Sequence, residues 1–127
     1  MKASKQKISS HQISRAQALN SKPVKNHSVI EDRLESGEIQ LTYPITLRPW
    51  IAAVIRYLGK DTDDTRTRKL QLDNLGTSVW DLIDGRRTVK RIIQLFVETH
   101  RVLPKEAEVA VTRFLRDLGQ RGLIGMQ

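Results

Sequence analysis

Ile39, Leu41 and Tyr43 alternate with Glu38, Gln40 and Thr42, the two-residue period of a half-buried strand. Ser28 to Glu35 reads as a second extended segment, and Ser36-Gly37 supplies the turn that joins the two into a hairpin. Pro44 lacks a backbone donor and ends the strand. The period then lengthens: Ile51, Val54, Ile55 and Leu58 recur at helical spacing over residues 49–58, with Pro49 suited to the first turn and Gly59 to the stop. A polar loop, Lys60 to Thr65, precedes a short third strand, Arg66 to Leu72, with Leu70 and Leu72 on one face.

From Asp73 onward the pattern is helical. Asp73 is positioned to cap a helix carrying Leu75, Val79, Leu82 and Ile83, closed by Asp84-Gly85. Thr88 caps a second, whose Val89, Ile92, Ile93 and Phe96 form one apolar stripe. A third begins near Pro104, directs Ala107, Val111, Phe114, Leu115 and Leu118 one way, and stops at Gly122, after which Leu123 and Ile124 return to the core. The predicted fold is α+β: a three-stranded antiparallel sheet followed by three helices, with a short helical insertion before the third strand.

Residues 1–27 are rich in Ser, Lys, Gln and Asn, with only scattered apolar positions, so they bury too little surface to offset chain entropy. They are expected to form a disordered tail, with one folded domain over 28–127. The tail changes the meaning of the net charge of +8, because it holds six bases and no acid. Residues 28–127 then carry 16 bases against 14 acids, a nearly balanced surface. Weak, non-specific nucleic-acid binding is expected of the tail rather than of the domain.

The chain has no cysteine, which excludes disulfides, thiolate metal sites and a thiol nucleophile. Its longest apolar run, Trp50 to Ile55, is six residues, against the ~20 a spanning helix needs. With no apolar core for a secretion signal at the start, a cytoplasmic protein is expected. His11, His27 and His100 are scattered and make no metal set. Asp61, Asp63 and Asp64 lack the glycine and distal glutamate of a calcium loop. No phosphate loop or nucleophile motif is present, so neither an enzyme nor a cofactor is expected.

The run Leu72-Asp73-Asn74-Leu75-Gly76-Thr77-Ser78-Val79-Trp80-Asp81-Leu82-Ile83-Asp84-Gly85-Arg86-Arg87-Thr88-Val89 resembles the signature of the PqqD family, and Phe114-Leu115, Leu118 and Gly122-Leu123-Ile124 continue it. The resemblance covers roughly residues 28–127. It implies a winged-helix-like domain that recognises the leader of a ribosomally made precursor peptide and presents it to a modifying enzyme, often of the radical S-adenosylmethionine type. In the family the leader lies along the third strand and packs against the third helix, here Arg66 to Leu72 and Pro104 to Arg121. The tail and the insertion depart from the shortest members, which points away from pyrroloquinoline quinone synthesis itself and towards another precursor.

An edge strand offers unpaired backbone groups to an extended peptide, and side chains beside it supply specificity. The candidate peptide contacts are Arg66, Arg68, Lys69, Leu70 and Gln71 on the strand, and Val109, Thr112, Arg113 and Arg116 on the third helix. Arg66, Arg68 and Lys69 favour an acidic leader, although bases on an edge also serve to block unwanted pairing between chains. Trp50 and Ile51 in the insertion, with Arg86 and Arg87, are candidate contacts for the partner enzyme. Self-packing is the plainer role for the insertion, and a membrane contact the weakest. Trp80 reads as a core anchor. An open strand edge is also compatible with a homodimer. The rival reading is a winged-helix DNA-binding regulator. Against it, the third helix begins Pro104-Lys105-Glu106-Ala107-Glu108, with two acids where phosphates would approach.

Overall fold

The computed structural model describes residues 14–44, 57–58 and 67–127. The chain divides into two compact units: Asn26–Thr77, and Ser78–Gln127 together with the chain up to Lys25. Among the described residues the architecture is α+β, with a three-stranded antiparallel sheet, a two-stranded ribbon and four helices. The expected insertion helix over 49–58 lies outside the described residues, apart from Tyr57 and Leu58, both exposed.

The first unit holds strands β2 (Ile30–Arg33), β3 (Ile39–Pro44) and β4 (Thr67–Gln71), in the order β2-β3-β4. The hairpin between β2 and β3 turns at Gly37, whose φ of +92° is open to glycine at no steric cost. Ile39, Leu41 and Tyr43 are buried and the residues between them half-buried, the alternation the sequence predicts. Register follows: Leu41 faces Leu70, Thr42 faces Lys69 and Tyr43 faces Arg68.

The β3–β4 ladder ends in a side chain. The Leu72 N–H donates to the Ile39 carbonyl at 2.8 Å, but the return bond is replaced by the Thr77 hydroxyl. Thr77 Oγ1 accepts from the Ile39 N–H at 3.1 Å and donates to the Leu72 carbonyl at 3.4 Å. Thr77 belongs to helix α2 (Asn74–Leu82), capped by Asp73, whose Oδ1 accepts from the Gly76 N–H at 2.7 Å. One buried hydroxyl thus locks the strand to the helix that follows it.

The second unit contains helices α3 (Val89–His100) and α4 (Pro104–Gln120), packed on each other. Val89, Ile92, Ile93 and Phe96 on α3 are buried, as are Ala107, Val111, Leu115 and Leu118 on α4. At ~1.5–3 kcal/mol for each large apolar side chain removed from water, these two stripes are the main source of cohesion. Leu75, expected on the buried stripe of α2, is instead half exposed, while Val79, Trp80 and Ile83 are buried. Gly85, at φ +80°, reverses the chain after α2. Asp84 then accepts from the N–H groups of Arg86 and Arg87, at 2.9 and 2.8 Å.

Two elements precede the position where the folded part was expected to start, and the disordered reading of 1–27 is corrected for residues 14–25. Helix α1 (Arg15–Asn20) packs on α3, and strand β1 (Pro23–Lys25) pairs antiparallel with β5 (Ile124–Met126). Ser14 and Gln17 form a reciprocal capping box, Ser14 Oγ accepting from the Gln17 N–H and Gln17 Oε1 from the Ser14 N–H. The Ser21 carbonyl accepts from the Val89 N–H at 2.9 Å, and Lys22 exchanges two backbone bonds with Gln127. Composition misses this segment because its order is tertiary. It has few apolar residues of its own but satisfies backbone groups that α3 and β5 would otherwise leave open.

Candidate functional site

The hydrogen-bond pattern shows which way β4 presents its backbone. In an antiparallel pair, residues alternate between those bonded to the partner strand and those facing away. Leu72 is bonded to Ile39, so by register Leu70 and Arg68 also face β3. Thr67, Lys69 and Gln71 therefore direct N–H and C=O to the open side, where no described strand pairs with β4.

The two outer strands of the sheet are not equivalent. On β2, the positions sharing the buried face with Leu41 and Ile39 are Glu31 and Arg33, both charged. Inward-pointing charges on an edge oppose the addition of another chain. On β4 that face carries Leu70, half-buried opposite Leu41, followed by buried Leu72. The edge at β4 is the more receptive of the two.

The candidate strand residues divide between the faces. Arg68 shares Leu70's face, opposite Tyr43, and is exposed, whereas Lys69 and Gln71 lie on the outer face. The Gln71 side-chain amide donates to Glu38 at 2.9 Å, so it is already engaged. Arg66, Trp50 and Ile51 lie outside the described residues.

On α4, Val109, Arg113 and Arg116 share one face of the helix and are exposed, with Val109 53% accessible. Thr112 flanks them, half-buried, its hydroxyl donating to the Glu108 carbonyl at 2.7 Å. Neither Arg113 nor Arg116 has an acid partner among the described residues. Beside them is a shallow depression of about 470 Å³, lined by Ala110, Arg113, Phe114, Arg116, Asp117 and Gln120. Its lining sets the Arg113 and Arg116 cations around the half-buried Phe114 ring, together with the Asp117 carboxylate, which is paired with Arg121 at 3.2 Å.

Arg86 is exposed, but Arg87 has a structural task. Its Nη1 donates to the Leu82 carbonyl at 3.0 Å and lies 3.4 Å from Asp84 Oδ2, closing the end of α2. The Arg87 and Arg86 N–H groups hold the Asp84 carboxyl below the usual carboxylate range. Trp80 is fully buried, as expected of an anchor, with the Lys25 ammonium 4.7 Å from its ring centre. Its Nε1 has no hydrogen-bond partner among the described residues. His100 lies 3.0 Å from the Ser78 hydroxyl and stacks at a tilt on Phe96, a packing role at the end of α3. No cluster able to hold a metal ion occurs among the described residues.

One contact escaped the sequence reading. Arg15 on α1 binds Glu108 on α4 through two bonds, Nε to Oε2 at 2.7 Å and Nη2 to Oε1 at 2.8 Å. The Arg15 guanidinium holds the Glu108 carboxyl below its ordinary value. The Ser14-x-x-Gln17 box was the available signal.

Residues 62–124, about half of the chain, match the family model for coenzyme PQQ synthesis protein D, PqqD. The chain belongs to the PqqD family. The match takes in β4, α2, α3 and α4, and stops before most of β5. PqqD membership makes the chain an accessory protein of cofactor or modified-peptide biosynthesis, a class of binding proteins rather than catalysts. Comparison with curated proteins and with solved structures returned no significant match. No described helix is long and apolar enough to cross a membrane.

Proposed function

We propose that this PqqD-family chain is a non-catalytic carrier of a precursor peptide. It captures the leader by strand addition at β4 and presents it to a modifying enzyme, of the radical S-adenosylmethionine type, in a winged-helix-like domain working in the cytoplasm. The observation that carries the reading is the open side of β4, with the N–H and C=O of Thr67, Lys69 and Gln71 turned away from β3 and Leu70 on the receptive face. Backbone bonding supplies affinity with little dependence on sequence. Selectivity is proposed to come from Arg68 and Lys69 on the strand and, as a second set of contacts, from Val109, Thr112, Arg113 and Arg116 on α4. Their charge selects an acidic leader. Arg86 remains a proposed contact for the enzyme, and Arg87 acts mainly by shaping the turn beside it.

Lys69→Pro tests this directly. Proline removes an N–H that faces the open side and leaves the bonds to β3 in place. The reading requires a short peptide gene beside this chain's own, and the leader half of that peptide is the probe. Its affinity should fall at least about tenfold, the effect of ~1.4 kcal/mol, while Lys69→Ala loses only a small part. In amide spectra of the wild type, Thr67 to Gln71 should shift on titration. Binding that leaves those amides unmoved, or an unaltered affinity in Lys69→Pro, overturns the strand-addition reading.

A further inference from the structure

The segment before β2 fixes one arginine on α4. Ser14 and Gln17 cap α1, Ser21 is bonded to Val89, and β1 is paired to β5, so Arg15 is delivered to Glu108 by an ordered backbone. Glu108 stands one turn before Thr112 on α4, so its carboxylate flanks that residue of the proposed leader contacts. The Glu108 side chain is 28% accessible and that of Arg15 73%. Left alone, Glu108 would be an uncompensated anion one turn from Thr112, on the same helix as Arg113 and Arg116, opposing the acidic peptide those two would attract. With both oxygens held by a guanidinium fork, its charge is cancelled where the peptide would lie.

We infer that Arg15 is a specificity-determining residue: by neutralising Glu108 it opens α4 to acidic leaders. The inference rests on the reading of α4 as a leader contact. It assigns helix α1 a part in peptide choice, although that helix lies outside the 62–124 stretch that matches the family.

The test is a charge-reversal cycle on the full chain, read by fluorescence anisotropy. The probes are the labelled leader described above and a version with each Asp and Glu replaced by its amide. The wild type should prefer the acidic probe. Arg15→Ala should weaken that probe about three- to tenfold at low salt, less at high salt, and leave the amide probe unchanged. Arg15→Ala combined with Glu108→Gln removes the ion pair as fully, yet should restore acidic binding, because the repelling charge is gone. If the single variant weakens both probes equally, or the double variant stays weak, Arg15 acts only by holding α1 and the inference fails. Equal wild-type affinity for the two probes also overturns it, while leaving strand addition at β4 intact. No wild-type binding of either probe overturns the peptide-carrier reading itself.

Discussion

Thr77 is a single residue on which a strand end and a helix start both depend. Its hydroxyl stands between the Ile39 N–H and the Leu72 carbonyl, and Ile39 is 1% accessible. Thr77→Val keeps the shape but strands a buried donor and acceptor, so unfolding free energy should drop by about 1–3 kcal/mol in denaturant titration. Thr77→Ser, which retains the hydroxyl, should lose much less. Asp84 supports a pH prediction. Its carboxyl is held below the ordinary range, first by the Arg87 N–H and then by the Arg86 N–H, so it binds protons more weakly folded than unfolded. Its stabilising contribution is complete above the unfolded value of ~3.9 and is lost as pH falls through the lower folded value. Comparison of wild type with Asp84→Asn should show a gap in urea midpoint near neutrality that closes on acidification. A gap constant with pH would mean that the charge contributes nothing.

Elements were legible where their periodicity was local. The hairpin, the third strand and the helices from α2 onward are written in alternating or helical spacing; Asp73 and Thr88 cap α2 and α3, and Pro104 opens α4. Strand β1 was not legible, since it is three residues long and exists by pairing with β5, about 100 positions away in sequence, and helix α1 left only its Ser14-x-x-Gln17 box as a trace. The chain begun at Ser14 and one begun at Ser28 should therefore differ. The shorter form loses β1, the Ser21–Val89 bond and the Lys25–Trp80 contact. Its melting temperature should fall by several degrees, as a deficit of ~1–2 kcal/mol implies for a domain of this size. Equal melting curves would show the segment to be ornamental.

At the scale of the molecule, charge is divided differently from the expected tail and neutral domain. Residues 26–77 hold seven bases and eight acids, whereas residues 78–127 hold nine bases and six acids, and the chain up to Lys25 adds six bases. The positive surplus thus belongs to the helical unit as a whole. The family was legible because its signature is concentrated around α2, where Leu72 and Trp80 are buried, Asp73 caps the helix and Asp84-Gly85 turns the chain after it. The candidate site was legible only as positions. That β4 offers Lys69 rather than Arg68 to an incoming backbone depends on strand register, which no local pattern encodes.

The backbone exchange between Lys22 and Gln127 has a mechanical consequence. Because β1 and β5 are antiparallel and meet at that pair, tension applied at the two residues loads the ribbon bond by bond instead of all at once. Force at these two residues would open the ribbon from that pair inward and draw Lys25 off the Trp80 ring.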